Sequence, residues 1–126
     1  MSIFGVGCDI VQISRIQKAI KNKSFVKRVF SKNEIKIIDT KSNKTNAYAK
    51  KFAAKEAFSK AVGIGIAKGI AFKEISINND KRGKPYVNLS GKTKFVTQKI
   101  IKKKYKISLS ISDVREYALA VVIISY

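Results

Sequence analysis

The sequence predicts one α+β domain over residues 1–126, with helices packed on an antiparallel sheet. Three observations carry this expectation. Helical periodicity and cap residues dominate the first half of the chain. The second half holds alternating or wholly apolar runs of strand length, separated by turn signals. Pro85 is the only proline, and no repeat, low-complexity tail or linker divides the chain.

The opening IFGVGCDIV (3–11) has strand character. Phe4, Val6, Cys8 and Ile10 alternate onto one face, and Gly5, Gly7 and Asp9 onto the other. Strand glycines mark places where something approaches the backbone closely. SRIQKAIKNK (14–23) follows as a short helix, with Ser14 as N-cap and Ile16, Ala19 and Ile20 facing inward. SFVKRVF (24–30) adds a helical turn or two. SKNE (31–34) is a capping box, Ser31 bonding forward and Glu34 reaching back, which opens a helix through EIKIIDTK. The main helix spans 46–62, rich in alanine and free of internal glycine or proline, and Gly63 and Gly65 end it.

FKEISINN (72–79) and PYVNLSG (85–91) are strands around the turn NDKRGK. KTKFVTQKIIKKK (92–104) is a basic helix. KISLSIS (106–112) alternates apolar residues with serine, as a half-buried strand does. EYALAVVIISY (116–126) is apolar on both faces and fits a central strand, joined to its predecessor as a hairpin across DVRE.

Composition narrows the chemistry. Hydrophobic residues make up 45% of the chain, enough for one modest core that assembly with other copies would help. No run of about 18 apolar residues exists, so no membrane span is expected, and the start does not have the pattern of a signal peptide. Cys8 is the single cysteine, which rules out an internal disulfide and fits a cytoplasmic setting. The chain has no histidine, which excludes Cys/His zinc sites, Ser-His-Asp triads and histidine bases. With 27 Lys+Arg against 8 Asp+Glu, the formal net charge of +19 favours an anionic partner. Nucleic acid, acidic membrane, a phosphorylated small molecule and an acidic protein all qualify. Coding bias is a second source of the excess, because lysine far outnumbers arginine while isoleucine and asparagine are plentiful.

Two of the few acids stand out. At about 100° per residue, Ala49, Phe52, Ala53, Ser59, Lys60 and Gly63 fall within about 60° of Glu56. Lys44, Lys51 and Lys55 form a separate basic strip. A carboxylate on such a small-residue face needs a partner. Glu56 either pairs with Lys60 along the helix, for a few tenths of a kcal/mol, or holds a cation. Asp9, beside Gly5 and Gly7, either caps the following helix or does the same. Two carboxylates without histidine suit a hard cation such as Mg²⁺, which takes further ligands from substrate phosphates. Lys60 beside them would neutralise a phosphate. The implied chemistry is transfer at phosphorus.

GVGCDIVQISRI, FVKRVFSKNE, KFAAKEAFSKAVGIG, NDKRGKPYV and SLSISDVREYALAVV occur in this order. Together they resemble the successive motifs of the holo-(acyl-carrier-protein) synthases, small bacterial 4′-phosphopantetheinyl transferases, over nearly the whole chain. The resemblance implies the 4′-phosphopantetheinyl transferase fold. It implies Mg²⁺-dependent transfer of 4′-phosphopantetheine from coenzyme A to a serine of apo-acyl carrier protein, releasing adenosine 3′,5′-bisphosphate, a step of fatty acid biosynthesis. It further implies a homotrimer with active sites at subunit interfaces. Asp9 and Glu56 match the magnesium ligands, Lys60 the diphosphate contact, and Ser59 a neighbour of that group. Gly83, Lys84 and Pro85 match a loop bordering the adenine. Arg15, Lys18, Lys21 and Arg28 match the surface that receives the acidic carrier protein.

Two positions depart from the family pattern. Many members carry arginine where Lys51 stands, and many carry histidine where Asp113 stands, both near the 3′-phosphate of coenzyme A. Lysine keeps the charge but loses bidentate geometry. An aspartate would repel that phosphate unless it faced elsewhere, so Asp113 is given no binding role. The general base stays open among Glu56, Asp9 and a metal-ordered water. A basic nucleic-acid-binding module is the first alternative, but no helix-turn-helix, zinc-finger or RNA-binding signature supports it. A non-catalytic carrier-binding subunit is the second, and the intact Asp9, Glu56 and Lys60 set argues against it.

Overall fold

The computed structural model describes residues 1–65 and 68–126. The chain runs β1 (Ile3–Gln12), α1 (Ile13–Ala19), α2 (Lys23–Val29), α3 (Lys32–Ile38), α4 (Lys44–Val62), β2 (Ile75–Asn79), β3 (Pro85–Leu89), α5 (Gly91–Ile101), β4 (Lys106–Val114) and β5 (Tyr117–Ser125). The fold is α+β, as expected, and the strands form two antiparallel sheets. One has the order β1-β5-β4, and the other is the β2-β3 hairpin. β5 is central, as its two apolar faces predicted.

Helix α4 is the spine. Its Ala53, Ala57, Phe58 and Ala61 are buried in one core with Ala120, Val122 and Ile124 of β5, Ile75 and Ile77 of β2, and Ile101 of α5. Near its N-terminal end, Tyr48 and Ala49 pack with Ile16, Val29, Phe30 and Ile38 of the short helices. The Phe30 and Tyr48 rings meet edge to face at 4.8 Å.

The details correct several expectations. The Gly5–Gly7 face of β1 is the one α4 approaches, the close contact expected of strand glycines, while Val6 and Ile10 on the other face are exposed. Ser14 is not an N-cap. The Ile13 N–H bonds the Glu116 carbonyl at 2.8 Å, so α1 starts straight off the strand with Gln12 in the cap position. Asp9 lies inside β1 opposite Ala120, too early to cap that helix. The expected helix over 14–23 stops at Ala19, because the Asn22 side chain caps α2 through the Ser24 and Phe25 N–H groups. The 72–79 strand begins only at Ile75, after a 3-10 turn over Phe72–Glu74. Gly63 alone, at φ 91°, ends α4. The Ser31–Glu34 capping box forms as expected.

Candidate active site

The glycines of β1 build the first part of the site. A Cβ on Gly5 would lie 2.0 Å from the Ala61 carbonyl oxygen, and one on Gly7 2.0 Å from that of Ala57. Only glycine lets α4 sit this close to β1. That contact brings Asp9 of the strand to Glu56 and Lys60 of the helix. Lys60 Nζ donates to Asp9 Oδ1 at 3.2 Å and to the Cys8 carbonyl at 3.1 Å. The ammonium therefore turns to the strand, and the Glu56–Lys60 pair along the helix is not the one that forms.

Among the described residues Glu56 takes part in no salt bridge. It is half-buried, and its carboxyl is pushed above the usual range by burial and by the Asp9 carboxylate, against the pull of Lys60. Two carboxylates thus lie close enough to feel each other, one of them bonded to the Lys60 ammonium. Among the described residues no third His, Cys, Asp or Glu joins them. Hard oxygen donors that repel one another fit a divalent cation whose other ligands come from water or a phosphate. Ser59 is buried, and its hydroxyl donates to the Ile64 carbonyl at 2.9 Å, closing the end of α4.

A second region lies elsewhere. A cavity of about 700 Å³ is lined by Lys41, Asn46, Lys50 and Lys51 on one side, by Gly83 and Pro85 of the β2-β3 turn on another, and by Asp113. Gly83 sits at φ 85°, where the turn requires glycine. Asp80 Oδ1 organises that turn by accepting the Arg82 and Lys84 N–H groups, each at 2.9 Å. Lys84 is exposed beside the cavity-lining Gly83 and Pro85. Lys51 is buried and donates to the Ile77 carbonyl. Burial pushes its ammonium down, Glu34 pulls it up, and Lys41 and Lys50 push it down again.

Asp9, Glu56 and Lys60 do not line this cavity. Lys51 and Glu56 are five positions apart on α4, which places them about 140° apart around its axis. Among the described residues the carboxylate pair and the cavity are therefore two distinct regions of the chain.

Sequence reasoning missed the polar centre of the core. Lys55, expected on a basic surface strip with Lys51, is fully buried. Its ammonium donates to Glu34 Oε1 at 2.7 Å, the Phe72 carbonyl at 2.8 Å and the Ile75 carbonyl at 2.6 Å. Glu34 accepts the Ile77 N–H at 2.8 Å with its other oxygen. Burial lowers the Lys55 pKa to about 8, with Glu34 opposing the fall. The capping box already marked Glu34, but nothing in its spacing pointed to Lys55, 21 residues away.

Arg15 and Lys18 are exposed on α1, Lys21 just beyond it and Arg28 on α2. The Arg28 guanidinium lies 5.8 Å over the Phe25 ring. The outer face of the three-stranded sheet is apolar and open along β1 and β5, while β4 presents exposed Ser108, Ser110 and Ser112. Val6 is 58% exposed and Ile10 63%, and Ile10 pairs across with Leu119, itself 41% exposed.

Residues 5–122 match the family model of the 4′-phosphopantetheinyl transferase superfamily. The holo-[acyl-carrier-protein] synthase of Pelagibacter ubique is 49% identical over 129 residues, covering 98% of each chain. The crystal structure of the corresponding synthase from Neisseria meningitidis superposes with a TM-score of 0.89 at 34% identity, over 98% of this chain and 99% of that one. The structure of a Bacillus anthracis holo-(acyl-carrier-protein) synthase in complex with CoA (3′,5′-ADP) gives 0.81 at 36% identity, over 98% and 97%.

Proposed function

Because this chain belongs to the holo-(acyl-carrier-protein) synthase family of 4′-phosphopantetheinyl transferases, we propose that it moves 4′-phosphopantetheine from coenzyme A to a serine of apo-acyl carrier protein. The reaction depends on Mg²⁺ and releases adenosine 3′,5′-bisphosphate. The observation that carries this reading is the meeting of Asp9, Glu56 and Lys60 across the β1–α4 contact. Asp9 and Glu56 are the residues that would hold the metal, and the metal when bound supplies positive charge to the diphosphate oxygens.

The chain's own residues do the rest. Lys60 adds a second positive charge beside Asp9, where charge builds as the phosphorus–oxygen bond breaks. The carrier serine oxygen forms a bond to the phosphorus that bears pantetheine. The bond from that phosphorus to the bridging oxygen breaks, and the bridging oxygen leaves on adenosine bisphosphate. The serine proton needs an acceptor. Glu56 is a candidate acceptor, its proton affinity raised by burial and by Asp9.

The cavity beside Gly83 and Pro85 takes the nucleotide end, with Lys84 next to it and the Lys41, Lys50 and Lys51 ammoniums supplying positive charge. Since the two regions lie on different sides of α4, a complete cleft needs a second copy. The open apolar sheet face supplies a surface for that assembly, a homotrimer with sites between subunits. Arg15, Lys18, Lys21 and Arg28 receive the acidic carrier protein by charge. A cytoplasmic setting agrees with the unpaired Cys8.

The test is direct. The protein is incubated with coenzyme A, Mg²⁺ and apo-acyl carrier protein, and the carrier is weighed by intact mass spectrometry. A gain of one phosphopantetheine, abolished by EDTA and by Glu56→Ala, is expected. No gain with several apo-carriers would refute the reading, and an active Glu56→Ala enzyme with unchanged metal dependence would refute the ligand assignment.

A further inference from the structure

The cavity beside Gly83 and Pro85 poses a charge problem. Lysines 41, 50 and 51 border it, and so do two carboxylates, Asp80 and Asp113. Free carboxylates would neutralise the lysines and repel an anionic ligand. Neither does so. Asp80 Oδ1 is taken by the backbone N–H groups of Arg82 and Lys84, both at 2.9 Å. Asp113 Oδ2 accepts the Asn46 side-chain N–H at 2.6 Å. Among the described residues neither acid forms a salt bridge. Both acids are held by neutral donors instead of pairing with the lysines, so the ammoniums at the cavity are left without a carboxylate partner among the described residues.

We infer that Asn46 is a positioning residue for coenzyme A: by holding the Asp113 carboxylate, it keeps the lysine-lined cavity cationic for the 3′-phosphate of the nucleotide. The inference rests on the functional reading above, and it goes beyond it in two ways. It gives a role to Asn46, and it explains how Asp113 stands beside an anion site without repelling its ligand. Asn46 is well placed for this single task. Its backbone N–H, not its side chain, bonds the Asn43 cap at 3.0 Å, so replacing the side chain leaves the start of α4 capped.

The test measures kcat and KM for the parent, Asn46→Ala, and Asn46→Ala combined with Asp113→Asn. Each is assayed with coenzyme A and with dephospho-coenzyme A, which lacks the 3′-phosphate. Asn46→Ala is expected to raise KM for coenzyme A about tenfold, the scale of one like-charge contact in a half-open site, with kcat held. KM for dephospho-coenzyme A should stay near the parent value. Adding Asp113→Asn should return KM for coenzyme A toward the parent value, which repair of a packing defect would not do. An equal rise with both donors, or no rescue by Asp113→Asn, overturns the inference. An active parent indistinguishable from Asn46→Ala overturns it while leaving the functional reading in place. A parent that modifies no carrier overturns both. If Asn46→Ala fails to fold, Asn46→Ser serves the same comparison, since its shorter side chain cannot span the 2.6 Å contact.

Discussion

Gly7→Ala tests the central piece of the argument, that the site exists because α4 rests directly on the β1 backbone. An alanine Cβ there would lie 2.0 Å from the Ala57 carbonyl oxygen and 2.6 Å from the Ala61 nitrogen. Ordinary contact begins near 3.4 Å, so the strand and helix must part by roughly 1.4 Å. Both obstacles are backbone atoms, and no side chain can rotate away. The cost should therefore sit at the upper end of overpacking, about 3 kcal/mol, which lowers Tm by roughly 10 °C for a domain of this size. The catalytic loss should be larger. Asp9 and Glu56 sit on opposite sides of that contact, and a displacement of about 1 Å can cost a hundredfold in rate. The assay pairs thermal unfolding with carrier-mass kinetics, and Gly65→Ala, whose Cβ meets nothing within 4 Å, is the control. A Gly7→Ala protein within two or so degrees of the parent Tm and within about twofold of its kcat/KM would refute the reasoning.

Other expectations follow from the same geometry. Glu56 keeps its proton to higher pH folded than unfolded, so its contribution favours folding in acid and is lost as pH rises through the raised value. In EDTA, Glu56→Gln should flatten that part of the Tm-against-pH curve while abolishing transfer, and an unchanged curve would contradict it. Lys55→Met leaves Glu34 buried and unpaired and should cost about 3–5 kcal/mol in denaturant unfolding. Pairing it with Glu34→Leu should recover much of that loss. Ile10→Asp puts charge on the open sheet face and should yield monomers by light scattering, with activity lost though the chain stays folded. Mixed assemblies of Glu56→Ala with Lys50→Glu should regain activity that neither variant has alone, because one subunit supplies an intact Glu56 and its neighbour an intact cavity. No regain on co-refolding would place both regions in the same chain's site.

Some of this was legible in the sequence because it is written locally. The Ser31–Glu34 box, the Gly63 stop and the alanine-rich run of α4 need only neighbours along the chain, and each appears where expected. What failed to show was long-range. Lys51 and Lys55 have the spacing of a solvated strip, yet carbonyls of β2, 26 and 20 residues away, draw both ammoniums inward. Asn46 and Asp113 are separated by 67 residues, and no spacing rule joins them. Asp9 and Glu56 were singled out by chemistry rather than spacing, as two acids on small-residue faces in a basic chain.

The two faces of β1 carry a further lesson. Alternation shows that a strand has two different faces; it does not say which one is inside. Val6, Cys8 and Ile10 have the composition of a core face but lie outside in one chain, because the inner position is taken by glycines that admit α4. A strand apolar outside and bare inside makes sense if both faces are buried, one by its own helix and the other by a second copy. In the proposed assembly the same copy would complete the site. With Asp9 on the helix-facing side of β1 and exposed Val6 and Ile10 on its other side, the proposed assembly would tie the chemistry to oligomerisation: the strand that sets the carboxylates would be the strand a partner covers.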